Sequence, residues 1–117
     1  MKVYVVRSDY GHYTDAFLKN NYVGIGWFET RAESYDLESI REHYQKEYPE
    51  DAKMRKAVNV GQINRFINKI EIGDFIITPY SNQNLIIGQI ESDLYFEEDS
   101  SSYYTMRRKV KWLKEAV

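Results

Sequence analysis

The pattern of apolar and polar residues predicts five short strands along the chain. Runs rich in β-branched and aromatic residues, bounded by turn residues, cover residues 2–8, 22–28, 74–79, 85–94 and 103–112. Such runs are typical of strands. The first run is apolar on both of its faces, which predicts a buried strand. The polar turn at 81–84 predicts a hairpin between the third and fourth strands.

Apolar residues at helical spacing predict three helices, over residues 13–20, 36–48 and 59–70. The second helix has the clearest start, because Asp36 is a candidate N-cap and Glu38 lies in the first turn. Pro49 ends this helix, since proline cannot continue it. The charged stretch at 50–56 is predicted to be a surface connection. His43 lies on the polar side of the second helix and is expected to be exposed.

The resulting order is β-α-β-α-α-β-β-β, which predicts a single α+β domain over residues 1–117. We expect a mixed sheet of about five to six strands with three flanking helices. The last three strands suit an antiparallel meander. The first two strands are expected to join it and form a small, partly closed barrel.

The last strand alternates between apolar and basic side chains. One face carries Met106, Val110 and Trp112, and the other carries Arg107, Lys109 and Lys111. The basic face either contacts phosphates or is a solvated surface. Arg108 falls on the apolar side, where an isolated charge is costly. We therefore expect Arg108 to reach a binding pocket or to pair with Asp74 or Glu91.

The composition describes a folded chain of one domain's size and excludes cysteine chemistry. The chain has 117 residues, of which 43% are hydrophobic, and no cysteine. Disulfides, cysteine zinc sites and thiol catalysis are therefore excluded. No apolar run approaches the roughly 18–20 residues of a membrane span. We expect no signal peptide and a cytoplasmic location.

Charge and aromatic content favour binding over catalysis. The net charge is −2, but an acidic stretch at 91–99 is followed by a basic one at 107–114. A phosphate backbone senses such local charge within about 8–10 Å. The chain also has 11 Tyr, 5 Phe and 2 Trp. Tyrosine in excess of the needs of a core is typical of recognition surfaces.

The sequence carries no recognisable set of catalytic residues. His12 and His43 are far apart and lack a second ligand at metal spacing. Gly24 and Gly26 lack the third glycine and the following helix of a dinucleotide-binding motif. The serines at 100–102 have no histidine close to them in sequence. We therefore expect no catalytic residue, no metal and no cofactor, and a magnesium-dependent nuclease is the weaker alternative.

Five motifs in a fixed order resemble a known domain family over nearly the whole chain. They are Gly24-Ile-Gly-Trp27, Gly61-Gln-Ile-Asn-Arg-Phe66, Ile72-Gly-Asp-Phe-Ile-Ile-Thr-Pro79, Leu85-Ile-Ile-Gly-Gln-Ile90 and Arg107-Arg-Lys-Val-Lys-Trp112. This combination resembles the N-terminal domain of modification-dependent restriction endonucleases of the Mrr type. That domain is related to the PUA-like group, which includes the EVE and YTH readers of modified bases.

The resemblance implies a PUA-like pseudo-barrel that holds a flipped, methylated base in an aromatic pocket. DNA is favoured as the partner, and an attached nuclease or NTPase on a longer chain would then act. An RNA-modification reader and a PUA-like domain that binds a protein or small ligand are the alternatives. Family members usually have Leu-Trp-Arg-Phe where this chain has Ile63-Asn-Arg-Phe66. The pocket role of that tryptophan is therefore not carried over.

The candidate site residues fall into two groups. The base pocket is assigned to Ser8, Asp9, Trp27, Gln62, Tyr80 and Tyr95, and the nucleic-acid backbone contacts to Arg65, Arg107, Arg108, Lys109 and Lys111. Trp27 follows two glycines that allow a base to approach closely. Gln62 lies near the start of the predicted 59–70 helix, where free N–H groups attract a phosphate or a base carbonyl. An aromatic ring stacked on a base returns about 1–3 kcal/mol, which helps to offset base flipping.

Overall fold

The computed structural model describes residues 2–7, 14–28, 31–79, 84–97 and 105–116. The chain forms two compact units. The first unit consists of Met1–Gly26 and Glu71–Val117, and the second consists of Trp27–Ile70. The first unit contains the described strands and one helix, and the second contains two helices that continue into a π-helix. The predicted α+β class, with a mixed sheet and three helices, is confirmed.

The first unit is built on a mixed sheet of six strands. Its elements are β1 (Val3–Val5), α1 (Thr14–Asn20), β2 (Tyr22–Ile25), β3 (Phe75–Pro79), β4 (Leu85–Ile90), β5 (Tyr95–Phe96) and β6 (Met106–Ala116). The strand order is β1-β3-β4-β6-β2, and β5 also pairs with β6. β1 is parallel to β3, and the other pairs are antiparallel. The predicted meander corresponds to β3, β4 and β6.

Every residue of strand β6 except Leu113 is paired with a neighbouring strand. Its first residues pair with β2 on one edge and with β5 on the other. From Val110 onward it pairs with β4, with a register shift at Ile87/Gly88. Trp112 is the partner of Gly88 next to this shift. Because a bulge turns the strand locally, β6 can serve two sets of neighbours.

The buried face of the sheet alternates along β3 and β4. Ile76, Ile86 and Ile90 are buried, and their chain neighbours on the other face are more exposed. The prediction of a buried first strand is wrong. Val3 and Val5 are 60% and 58% exposed, because β1 is the end strand of the order. An apolar run marks a strand but does not tell an edge strand from a central one.

Side chains tie the ends of several elements to the sheet. The Asp74 carboxylate accepts hydrogen bonds from the backbone N–H groups of Lys2, at 3.0 Å, and Glu71, at 2.9 Å. The bond from Glu71, assisted by Lys2, holds the pKa of Asp74 below its ordinary value. The indole Nε1–H of Trp112 donates to the Phe17 carbonyl at 3.0 Å. This bond fixes α1 against β6.

Helix α2 (Leu37–Glu47) begins where the sequence predicts. Asp36 is its N-cap and accepts a hydrogen bond from the Ser39 N–H at 2.9 Å. That bond, and a second from the Ser34 hydroxyl, lower the pKa of Asp36. The cap satisfies one of the N–H groups that a helix leaves free at its start.

Helix α3 (Lys53–Asn64) begins six residues before the predicted helix, and a π-helix (Arg65–Lys69) continues it. The prediction of a surface connection over 50–56 is therefore wrong from Lys53 onward. The sequence gives no signal there, because the N-cap is Ala52 and makes no side-chain hydrogen bond. Lysine and arginine are nevertheless good helix formers.

Aromatic side chains fill the interior of the second unit. Tyr44 is buried, and its hydroxyl donates to Asp51 and accepts from the Asn59 amide at 2.8 Å. Burial raises the pKa of Tyr44. The expectation of an exposed His43 is wrong: its ring meets Phe28 edge-on at 4.6 Å, and its Nε2 lies against the Glu47 carboxylate. The histidine is therefore part of the packing on this side of α2.

Candidate functional site

One face of the first unit's sheet gathers aromatic and basic side chains around a glycine. Arg107 of β6 has Gly24 of β2 as its partner on one side and Tyr95 of β5 on the other. Tyr22 is the partner of Lys109, two residues along both strands. Paired residues of antiparallel strands, and residues two apart, share a face. We call these five residues the β6 cluster.

Tyr22 and Arg107 form the buried part of the β6 cluster. The Arg107 guanidinium carbon lies 4.0 Å from the centre of the Tyr22 ring, which also meets Phe17 edge-on at 5.1 Å. Both side chains are more than nine-tenths buried. Because Gly24 has no side chain, the guanidinium can reach diagonally across to Tyr22. A desolvated cation–π contact of this kind contributes about 2 kcal/mol.

The prediction of a continuous basic ladder on β6 is therefore wrong at Arg107. The strand alternates as predicted, but Arg107 is covered and Lys109 and Lys111 are exposed. Arg107 is buried because the neighbouring strands β2 and β5 lie against it, and the alternation of residues along β6 does not predict this burial. Its guanidinium stacks on Tyr22 inside the cluster and is not exposed at the surface, where it could meet a phosphate.

The Tyr22 hydroxyl is buried and has no hydrogen-bond partner among the described residues. A buried polar group without a partner costs about 1–3 kcal/mol. Such a group in a native fold calls for an explanation, such as a bound water or ligand. The hydroxyl offers a donor and an acceptor. The β6 cluster therefore contains a polar group that the described residues leave without a partner.

Arg108 lies on the face of β6 opposite to Arg107, and its side chain is held by contacts within the first unit. It is buried, and its Nη1 donates to the Ser92 carbonyl at 3.3 Å. Burial lowers the pKa of Arg108, and the charges of Asp93 and Asp74 oppose that change. The charge of Asp74 acts on Arg108, although less than that of Asp93, and a pairing of the two stays a prediction. The assignment of Arg108 to the nucleic-acid backbone is wrong, because the side chain is covered.

The backbone that carries the two exposed lysines of β6 is hydrogen-bonded to its neighbours. The Lys109 N–H donates to the Ser92 hydroxyl at 2.8 Å, and the Lys109 carbonyl accepts from Glu91. Lys111 is paired with Gln89 of β4. Both ammonium groups extend from one strand beside the buried Arg107. This arrangement suits contacts to two neighbouring phosphates.

The remaining predicted residues belong to the second unit or lie outside the described residues. Trp27 is half-buried, and Gln62 and Arg65 are exposed. The placing of Gln62 at a helix start is wrong, because α3 begins at Lys53 and Gln62 lies near its end. The free N–H groups of the helix start are therefore not close to Gln62 and cannot help it to bind a phosphate or a base carbonyl. Ser8, Asp9 and Tyr80 lie outside the described residues.

The sequence assigns Tyr95 to the base pocket and Arg107 to backbone contacts, whereas the structure makes them strand partners, and Tyr22 and Gly24 were not predicted as members of the cluster. A signal was present, because Tyr22 precedes the Gly24-Ile-Gly26 run in a predicted strand. The strand register that places Gly24 opposite Arg107 is a long-range property. It connects residues more than eighty positions apart.

The described residues contain neither a metal site nor a membrane-spanning helix. Within them, no three histidine or acidic side chains converge in a way that could hold a metal ion. No helix among them is long and apolar enough to cross a membrane.

The chain matches one family model over residues 2–117, and its description is Domain of unknown function (DUF8426). The match spans nearly the whole chain, so the chain belongs to this family. Searches of curated proteins and of solved structures found no match.

Proposed function

We propose that this member of the DUF8426 family is a nucleic-acid-binding domain that recognises a modified base, with methylated DNA as the preferred partner. The observation that carries the proposal is the Tyr22 hydroxyl, buried without a described partner beside the Arg107 guanidinium. A flipped base presents the polar edge that would satisfy this hydroxyl. Readers of modified bases, which the sequence resembles, bind their target in this manner.

The exposed lysines of β6 support the same proposal. Lys109 and Lys111 are held on the strand that carries Arg107. If each lysine contacts one phosphate, removal of both contacts should reduce the slope of log K against log salt by about 1.8. Tyr95 is half-buried and is the strand partner of Arg107, and on this proposal its ring would stack on the base.

Recognition of the modification itself depends on a closely fitting pocket. One buried methyl group contributes about 0.8 kcal/mol, which is roughly a fourfold preference. A void left by the unmodified base would increase this preference. On this reasoning the domain supplies specificity, and an attached nuclease or NTPase would supply the reaction. The domain itself is proposed to be a binding module and not an enzyme.

The test is an electrophoretic titration of the full chain with duplexes that differ only in a methylated cytosine or adenine. We expect binding to one methylated duplex, at least fourfold tighter than to its unmodified counterpart. Methylated RNA of the same sequence is the comparison for the alternative RNA reader. Equal or absent binding to every oligonucleotide at low salt would refute the proposal.

Two variants separate the pocket from the phosphate contacts. Tyr22→Phe removes the hydroxyl and is expected to weaken binding to the methylated duplex about two- to tenfold. Lys109→Gln with Lys111→Gln is expected to weaken binding to all duplexes alike and to reduce the salt slope. Lys19→Gln, an exposed lysine on α1 of the same unit, is the matched control and should leave both quantities unchanged.

A further inference from the structure

Helix α3 and its π-helical continuation are strongly basic. From Lys53 to Lys69 the chain carries five cationic residues and no aspartate or glutamate: Lys53, Arg55, Lys56, Arg65 and Lys69. The second unit as a whole has acidic residues, but they lie elsewhere in its sequence. A helix with one sign of charge repels itself and attracts an anionic partner.

A groove of about 500 Å³ lies between α2 and α3 within the second unit. Its apolar floor includes Leu37, Val60 and Gly61, and its rim carries Arg41, Lys53 and Lys56. No carboxylate occurs among the described residues that line it. The volume lies within the range of about 300–1,000 Å³ that is typical of ligand pockets.

The positive charges at the rim are not neutralised strongly. Arg41 has an exposed ion pair with Glu38 at 3.4 Å, and such surface pairs contribute little. Lys56 donates to the side-chain oxygen of Gln45 at 2.7 Å and to the Pro49 carbonyl at 3.2 Å, both of which are uncharged. A carboxylate brought to this rim would therefore gain charge-assisted hydrogen bonds.

Apolar surface continues beside the groove on α3. Met54 is 79% exposed and Val58 is 53% exposed. Val58 lies one turn from Gly61 on the helix surface, and Met54 lies one turn beyond Val58. A side chain at Gly61 would meet no atom within 4 Å of its Cβ. Glycine inside a helix costs up to about 1 kcal/mol relative to alanine. The open floor at Gly61 lets another backbone or side chain approach α3 closely.

We propose that the α2–α3 groove docks an acidic amphipathic helix of a partner protein. The apolar side of that helix would cover Leu37, Val60 and Gly61, and its carboxylates would meet the basic rim. A nucleic-acid backbone fits these observations less well, because its phosphates gain nothing from the apolar floor or from Met54 and Val58. This inference does not depend on the proposed recognition of a modified base.

The probe is a fluorescein-labelled 18-residue peptide with leucine at helical spacing on one face and glutamate at its other positions. Fluorescence anisotropy with the full chain is expected to show saturable binding that weakens as salt is added. The same peptide with lysine in place of glutamate should not bind. Absence of binding by the glutamate peptide, or equal binding by both peptides, would overturn the proposal.

Variants locate the binding in the groove. Lys53→Glu with Lys56→Glu should weaken binding of the glutamate peptide at least tenfold, whereas Lys46→Glu, on the exposed surface of α2 outside the groove, leaves it within about twofold. Gly61→Trp fills the floor and should also cause at least a tenfold loss. Gly61→Ala at the same position should retain binding. If the tryptophan variant does not fold, the lysine pair decides the outcome.

A competition experiment distinguishes the nucleic acid from the protein partner. An unmodified DNA duplex should not displace the glutamate peptide from the full chain. The double variant Lys109→Gln with Lys111→Gln should bind the peptide as the parent chain does. Displacement by the duplex, combined with loss of duplex binding in the Lys53→Glu and Lys56→Glu variant, would assign the groove to nucleic acid and overturn the proposal.

Discussion

Gly88 of β4 lies where a side chain of any size would collide with β6. A Cβ at this position would lie 2.3 Å from the Val110 Cγ1 atom and 2.9 Å from the Trp112 Cε3 atom. Trp112 is the strand partner of Gly88, next to the register shift. Its indole also donates to the Phe17 carbonyl at 3.0 Å, so it cannot turn away without losing that bond. Gly88→Ala must therefore displace Val110, the tryptophan or the backbone.

The expected cost follows from overpacking in a well-packed interior. Extra methyl groups in a tight core cost about 1–3 kcal/mol. At a urea m-value of about 2 kcal/mol/M, this loss lowers the unfolding midpoint by roughly 0.5–1.5 M. Urea titration followed by far-UV circular dichroism measures the shift. Gly61→Ala is the matched control, because no atom lies within 4 Å of the Cβ that it would add.

A double-mutant cycle with Val110→Ala tests the collision directly. Val110→Ala alone leaves a cavity and should destabilise the chain. In the Gly88→Ala background it removes the atom closest to the new Cβ, so the two losses should be non-additive by at least about 0.5 kcal/mol. An unchanged midpoint for Gly88→Ala, or strict additivity in the cycle, would refute the packing that places β4 on β6 in this register.

Three further changes have expected outcomes in the same urea titration. Asp74→Asn should cost about 1–3 kcal/mol at neutral pH through weaker hydrogen bonds. Folding lowers the Asp74 pKa, so the stabilisation by this carboxylate is complete above the unfolded pKa of about 3.9 and is lost as the pH falls through the folded value. The acid limb, which is the fall in the free energy of unfolding as the pH decreases, should therefore be flatter for Asp74→Asn than for the parent chain. Trp112→Phe should cost about 0.5–1.5 kcal/mol through loss of the bond to Phe17. Gly61→Ala should raise the midpoint, with a gain of about 0.5–1 kcal/mol.

Contrary results would be informative for each of these changes. Parallel acid limbs for the parent chain and Asp74→Asn would show that another carboxyl group governs acid unfolding. A neutral Trp112→Phe would mean that the Phe17 carbonyl finds water instead. A destabilising Gly61→Ala would show that the groove floor is less open than its geometry indicates.

Local pattern was sufficient to predict most of the elements and the fold class. The hairpin of β3 and β4 and the N-cap at Asp36 were both found where the sequence places them. The start of α3 was missed because Ala52 offers no capping side chain. The exposure of Val3 and Val5 was missed because the pairing order of the strands, and not their composition, decides which strand is at the edge.

The candidate site was predicted less well than the fold, and for a related reason. Periodicity correctly placed Lys109 and Lys111 at the surface of β6. It could not show that Arg107 is covered, because this depends on Tyr22 and Gly24 of a strand far away in sequence. The role of Gln62 depended on a helix start that lies elsewhere. Site residues are fixed by register between distant strands, which a local pattern does not contain.

The central place of β6 has a consequence for the order in which the chain can fold during synthesis. β2 ends at Ile25, and the strand with which it pairs begins at Met106. A ribosome that adds about 5–20 residues per second needs roughly 4–16 s to make the intervening segment. Throughout that interval the partner strand of Tyr22, Val23 and Ile25 has not yet been synthesised. The nascent chain would therefore present a short apolar strand to chaperones, and folding of the sheet would wait for the last of its strands.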